Sequence, residues 1–216
     1  MHIKRKTIPT FWPVRRTGTK YMAVPTHNQR NSMPLIIVAR DILEIVKSKK
    51  ELKKVLNEKK IIINGKIVRE PNYPISLFDS VSIPSVNKYY RATLNNKKME
   101  LTQIKENEAN SRIYKVIGKT QLSGKKVQLN LGNGRNILSS ENVKTGNFII
   151  LDNVKNKILK TIALEKDVSV MIVKGKHAGK SGKIKEIVKE GENVIGKIKS
   201  VAGEISTNIK NLFAIE

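Results

Sequence analysis

Acidic residues are absent from the start of this chain. Met1 to Arg40 contains eight Lys or Arg and no Asp or Glu, so this stretch has no internal carboxylate to neutralise it. Cysteine is absent throughout, which excludes disulfides, thiolate metal sites and cysteine nucleophiles and is compatible with a reducing cytosol. Aromatics make up 5% and hydrophobic residues 39% of 216 positions, a composition that fits several small β-rich modules with thin cores better than one thick core. Long apolar runs are missing too. The longest, Leu35 to Ala39, is far too short to span a bilayer. No apolar run follows Met-His-Ile-Lys-Arg-Lys, as a secretory signal requires. A membrane-surface reading needs a basic amphipathic helix with bulky apolar anchors, and none is evident.

Catalytic groups are sparse. There are three histidines, His2, His27 and His177, and four aspartates, Asp41, Asp79, Asp152 and Asp167. No H-x-x-x-H pair, G-x-S-x-G elbow or carboxylate cluster appears. Asp41 falls in a helix and Asp79 in a turn before a strand, where structural roles are expected. The reading is of no enzyme, no cofactor, no metal site and no small-molecule substrate.

Positive charge is abundant. Forty-two Lys and Arg against eighteen Asp and Glu give a formal net charge of +24 and a pI of about 10.2. Nucleic acid is the partner this favours, because cationic side chains that neutralise phosphates release condensed counterions.

Along the chain, residues 1–33 read as a basic, extended arm interrupted by Pro9, Pro13 and Pro25. Trp12 beside Phe11 is expected to dock it on a neighbouring module, with base stacking as the alternative. Pro34 opens a helix whose apolar residues, Leu35, Val38, Ala39, Ile42, Leu43 and Val46, continue at helical spacing through Lys47. Ser48 to Glu51 forms a capping box for a second helix with Leu52, Val55 and Leu56 on its apolar face. Asn64-Gly65 between Ile61-Ile62-Ile63 and Lys66-Ile67-Val68 predicts a two-residue hairpin. A strand at Val81 to Ile83 closes this helix-pair module, residues 34–86.

From 87 to 165 short strands alternate with turns, predicting a central antiparallel β domain. The expected strands are Arg91–Leu94, Met99–Ile104, Ile113–Ile117, Val127–Leu131, Asn136–Leu138, Phe148–Leu151 and Ile158–Ala163, with turns including Asn95-Asn96, Ser123-Gly124 and Gly132-Asn133-Gly134. Residues 166–216 continue as β, with strands at Val170–Val173, Lys183–Val188, Asn193–Lys199 and Leu212–Ile215. The fold class is α+β.

Two constellations carry binding chemistry. Lys47, Lys49, Lys50, Lys53 and Lys54 surround the turn between the helices, with Lys66 and Arg69 on the hairpin. Ammonium groups beside free N–H groups at a helix start favour a phosphate, although a solvated lysine face is the ordinary outcome of such a run. The second is Val173 to Ile184, V-K-G-K-H-A-G-K-S-G-K-I. Its Gly179-Lys180-Ser181 invites a phosphate-loop reading, but Gly175 lies one residue too close and Lys183 to Val188 alternates like a strand. Strand, tight glycine loop and strand fit instead, with Gly175, Gly179 and Gly182 allowing reversal and close approach. The spacing resembles the KOW motif of small RNA-binding barrels, which implies a small SH-three-like β barrel; an ordinary Gly-rich hairpin is the alternative.

The order of parts resembles a family. A start of H-I-K-R followed by F-W, then P-L-I-I-V at 34–38, the helix pair, the I-N-G-K hairpin, a β domain and a KOW-like loop are similar to small-subunit ribosomal protein four of the archaeal and eukaryotic type. The likeness covers essentially the whole chain. It implies a cytoplasmic ribosomal component that binds small-subunit rRNA, contacts neighbouring small-subunit proteins and catalyses nothing. The RNA-facing residues implied are Lys4, Arg5, Lys6, Arg15, Arg16, Lys20, Arg30 and Arg40, the helix-pair set Lys47, Lys49, Lys50, Lys53, Lys54, Lys66 and Arg69, and Lys174, Lys176, His177, Lys180 and Lys183 in the loop. An ending at Glu216 without a basic tail favours an archaeal source. The rival readings are an RNA-modifying protein, such as a pseudouridine synthase using the helix pair for targeting, and a KOW-type regulatory factor.

Overall fold

Strands dominate the computed structural model, which describes residues 2–122, 126–139, 143–191, 193–200 and 203–215. Nineteen strands form five antiparallel sheets among the described residues, and helix is confined to a few short segments. The chain divides into two units, Met1–Asn110 and Ser111–Glu216.

The first thirty residues fold back instead of extending. Strand β1 (His2–Lys4) pairs antiparallel with β2 (Tyr21–Ala23), and a 3-10 turn follows β1 at Arg5–Thr7. Ile8, Trp12, Met22 and Met33 are buried in the same core as Leu52, Leu56 and Ile63. Trp12 is only 3% exposed, and its indole N–H donates to Ser32 O at 3.1 Å. A buried Trp hides roughly 150–250 Å², a gross gain of about 4–6 kcal/mol at 25 cal/mol per Å². The expected extended arm is thus a docked flap, because a few apolar residues far apart in sequence converge on one core. Trp12 is an anchor, and its burial leaves no face for a base.

Strand β3 (Ser32–Pro34) pairs with β6 (Pro74–Ser76). Between them, α1 (Leu35–Ile37) continues into a single π turn, Val38–Ile42, closed by Leu43 N–H donating to Val38 O at 2.9 Å. The helix expected through Lys47 therefore ends early. Glu44 takes φ 52° and the Ile45 and Val46 N–H groups both donate to Ala39 O. Leu35 through Ala39 are all buried, so packing on every side outweighs an amphipathic stripe here. Helix α2 (Lys49–Asn57) starts at Ser48, whose hydroxyl accepts from Glu51 N–H at 3.2 Å. The Glu51 carboxylate accepts from Lys47 N–H at 2.8 Å, one residue beyond the usual capping-box partner. Leu52 and Leu56 are buried beneath it.

The hairpin β4 (Ile62–Ile63) to β5 (Lys66–Ile67) turns through Asn64 at φ 49° and Gly65 at φ 74°. Both values belong to a type I′ turn, which matches the twist of the strands. Strands β7 (Ser80–Ile83), β8 (Lys88–Asn95) and β9 (Lys98–Gln103) complete a sheet of order β5-β4-β7-β8-β9. Residues 88–103, assigned by sequence to the central domain, thus belong to the first unit, because β8 pairs with β7. A short helix α3 (Glu106–Ala109) follows. Asp79 is the polar keystone of this unit: its carboxylate accepts from Asn64 Nδ2 and Ser76 N–H, both at 2.6 Å. Asn64 Oδ1 accepts from Ser80 N–H at 2.9 Å, and the Ser80 hydroxyl donates to Ala109 O at 2.7 Å. One buried acid therefore ties the hairpin turn to the 76–80 turn, with α3 joined through Ser80.

In the second unit, β10 (Ser111–Gln121), β11 (Val127–Leu131), β12 (Asn136–Ser139), β13 (Phe148–Asp152) and β14 (Lys157–Ile162) are ordered β12-β11-β10-β13-β14. Tyr114, Val116, Leu129, Leu131, Ile149 and Leu151 form its core. The turn expected at Ser123-Gly124 lies outside the described residues. A second sheet contains β15 (Ser169–Ile172), β16 (Ser181–Glu190), β17 (Asn193–Ser200), β18 (Gly203–Asn208) and β19 (Leu212–Ala214), in the order β18-β17-β16-β15-β19. Its core is Val170, Ile172, Ile184, Ile198, Ile205 and Leu212. Phe148 meets Phe213 edge-on at 5.0 Å, joining the two sheets.

Two substitutions test these assignments. Asp79→Ala strands the Ser76 N–H and the Asn64 amide in a buried site, and should lower the urea-denaturation free energy by about 2–4 kcal/mol. A loss under about 0.5 kcal/mol contradicts the keystone role. At Gly182, a Cβ meets the Lys199 carbonyl oxygen and lies 2.8 Å from Ile198 Cγ2. Gly182→Ala should therefore cost about 1–3 kcal/mol through overpacking, whereas an unchanged melting temperature sinks the close-approach account.

Candidate nucleic-acid interface

The flap carries its cations in two ways. Lys4, Lys6, Arg15, Lys20 and Arg30 are exposed. Arg5 instead organises the loop at 15–20: its Nε donates to Thr19 O, Nη1 to Arg15 O and Nη2 to Thr19 Oγ1, each at 2.7 Å. Arg16 Nη1 donates to Ile8 O at 3.0 Å and to Lys6 O at 3.3 Å. These two expected RNA-facing residues spend donors on the backbone, and their fixed forks suit that work. Arg40 is likewise engaged, with Nε and Nη2 on the Asp41 carboxylate at 2.8 and 2.9 Å.

Helix α2 presents the densest basic face. Lys47, Lys49, Lys50, Lys53 and Lys54 are all exposed, and Lys66 and Arg69 of the hairpin region are exposed too. Lys49/Lys53 and Lys50/Lys54 stand four residues apart, the spacing at which like charges repel on a helix surface. Lys49 and Lys50 also sit in the first turn, where the backbone dipole favours anions. Glu51, the one acid in this helix, has its carboxylate on the Lys47 N–H. An external anion relieves both strains at once.

The third cluster lies on the loop between β15 and β16. Gly179 N–H donates to Ile172 O at 2.8 Å and Ile172 N–H to Lys180 O at 3.0 Å, pinching its base. Gly175 and Gly179 take φ 101° and 93°, values that favour glycine. Lys174, Lys176, Lys180 and Lys183 are exposed, and His177 is half-buried. Strand β16 follows directly, so no helix N-terminus faces this loop and a P-loop geometry is absent from it. Flap and helix cluster belong to the first unit and the loop to the second.

Two cations escaped the sequence reading. Lys199 stands directly opposite Lys183 across β16 and β17, a like-charge pair visible only once the register is known. Lys115, on β10, reaches the second sheet of its unit. Its Nζ donates to Ile209 O at 3.2 Å and to Lys210 O and Leu212 O at 3.5 Å, and it lies 5.5 Å from the Phe148 ring centroid. Burial pushes its ammonium below the usual lysine range. Asn211 O, in the turn it clasps, accepts from Val173 N–H at 2.8 Å, so Lys115 braces the root of the basic loop. The sequence carried no signal for it, since a lysine between Tyr114 and Val116 in an alternating strand reads as an ordinary outward-facing residue.

Residues 86–158 match the family described as ribosomal family S4e. The small ribosomal subunit protein eS4 of Methanocella arvoryzae is 36% identical over 190 residues, covering 86% of this chain and 80% of that protein. The eS4 protein of Methanospirillum hungatei is 38% identical over 191 residues, 86% of this chain and 79% of its own. Among solved structures, the 30S ribosomal protein S4e of Thermoplasma acidophilum superposes with a TM-score of 0.71 at 25% identity, over 86% of this chain and 95% of that one. A mostly-β chain with this sequence likeness across most of its length belongs to the eS4 family of small ribosomal subunit proteins, which are structural components and not enzymes.

Proposed function

We propose that this small-subunit constituent binds small-subunit rRNA by neutralising phosphates with exposed cations of the flap, of α2 and of the β15–β16 loop, and that it contacts neighbouring small-subunit proteins. The observation that carries the reading is the α2 face. A helix with lysines repelling at four-residue spacing, over an N-terminus suited to anions, is paired with a phosphate backbone at little cost. Lys4, Lys6, Arg15, Lys20 and Arg30 extend the interface, as do Lys174, Lys176, Lys180 and Lys183. Arg5 and Arg16 contribute field and scaffolding, and Lys115 positions the loop. Contacts spread over several modules give shape-based recognition, as expected for structured RNA.

The finer architecture fits this role. The β15–β18 meander, closed by β19 returning to β15, is read as an SH-three-like barrel with Val173 to Ile184 as its KOW segment. The flap, the helix-pair module, the central sheet and this barrel are then four surfaces on one cytoplasmic ribosomal protein.

Titration of the full chain against small-subunit rRNA across a KCl series tests the proposal. Log affinity should fall by roughly 0.7–0.9 per log unit of salt for each phosphate neutralised. A flat dependence contradicts it. Lys50→Glu separates binding from folding, because the introduced carboxylate would face Lys54 at favourable spacing and sit at the positive helix end. The free chain should gain roughly 0.3–1 kcal/mol in urea denaturation, while rRNA affinity falls and its salt dependence flattens. Unchanged affinity removes α2 from the interface.

A further inference from the structure

The flap presents one feature that phosphate neutralisation leaves unused. Tyr21 is 47% exposed and is the only exposed Phe, Tyr or Trp among the described residues. Its neighbour Met22 points into the core, so strand alternation turns the Tyr21 ring outward. The His2 ring packs against it edge-on, with centroids 4.5 Å apart and planes at 72°. Lys20 Nζ lies 5.4 Å from the ring centroid, and Lys4 is the direct cross-strand partner of Tyr21.

The backbone that carries the ring is tied down at several points. Arg5 N–H donates to Lys20 O at 2.9 Å, the Arg5 guanidinium grips Thr19, and the Thr19 hydroxyl donates to Tyr21 O at 3.4 Å. A large aromatic left 47% exposed gives up apolar burial, and its contacts with His2 and Lys20 cover only part of it. The charge around it excludes an acidic neighbour within its own segment, since residues 1–40 contain no Asp or Glu. An exposed ring with one ammonium over it and a lysine opposite on the paired strand matches a nucleobase with its own phosphates close by.

We infer that Tyr21, with His2 packed edge-on to it and Lys4 and Lys20 beside it in the ribbon, is a stacking platform for one unpaired base of small-subunit rRNA. This rests on the rRNA-binding reading above and adds a contact of a different physical kind. Phosphate contacts weaken with salt, whereas stacking is a short-range contact that counterions do not screen. Trp12, the more conspicuous aromatic in the sequence, is buried and cannot take this part.

The two kinds of contact separate in one experiment on the full chain. Affinity for small-subunit rRNA is measured across a KCl series for wild type, Tyr21→Leu and Tyr21→Phe. Emission from Trp12, the only tryptophan, reports whether the flap stays docked. Tyr21→Leu should weaken binding by about tenfold at every salt concentration, within the range for losing one base–aromatic stack, and leave the salt slope unchanged. Tyr21→Phe should bind within about twofold of wild type, since it retains the π face. Wild-type affinity in Tyr21→Leu overturns the platform while leaving rRNA binding intact. A reduced salt slope in that variant also overturns it, because Tyr21 would then act by placing Lys4 and Lys20. Absence of salt-dependent binding in the wild type fails the parent reading instead. Should Trp12 emission show the flap released in Tyr21→Leu, ultraviolet crosslinking of wild-type protein to rRNA decides: a base adduct on Tyr21 supports the platform, and adducts only elsewhere refute it.

Discussion

Several of this chain's scarce carboxylates clamp backbone amides. Glu51 accepts from Lys47 N–H, Asp79 from Ser76 N–H, and Asp152 from Val154 and Lys155 N–H. The last pair of bonds holds the Asp152 carboxyl below its ordinary range. With eighteen acids against forty-two cations, each carboxylate used as a cap or a turn clamp is one fewer partner for a lysine. Surface pairs such as Lys197 with Glu186 at 3.1 Å exist, yet exposed pairs of this kind contribute little. Even with every acid paired to a cation, 24 cations would remain without a carboxylate of their own.

That allocation explains how so basic a chain builds ordered surfaces. In the flap, arginine replaces the missing acid as organiser: Arg5 and Arg16 bond carbonyl oxygens, and Trp12 supplies the burial. In the second unit, Lys115 does similar work with three carbonyls of the turn that also anchors Val173. Arg5, Arg16 and Lys115 thus fasten backbone carbonyls, whereas the α2 lysines stand exposed. The same residue type serves both ends, and only geometry separates them.

Local chemistry was legible in the sequence, and long-range pairing was not. Asn64-Gly65 specified its turn because both residues tolerate positive φ, and Ser48 with Glu51 marked the start of α2 because capping is read within four residues. Strand β11 lies where alternation placed it. The unit boundary at Asn110 was hidden, since nothing local in residues 88–103 reveals that they pair with Ser80–Ile83. Residues 203–208, Gly-Glu-Ile-Ser-Thr-Asn, offer one apolar position and became a strand through pairing with β17. Among the candidate contacts, exposure of the lysines was legible from their charge. The carbonyl contacts of Arg5 and Arg16, and the exposure of Tyr21 beside the buried Trp12, depended on how the flap folds back.

If its surplus cations are matched only from outside, the free protein carries unrelieved repulsion among them. Salt screens such repulsion. Urea denaturation of the isolated chain from low to high KCl, followed by Trp12 emission, measures it most directly. The account requires the midpoint to rise steadily with KCl. A midpoint that is flat or falls with salt would show that the cations are already balanced within the chain, and the case for external counter-charge would fail.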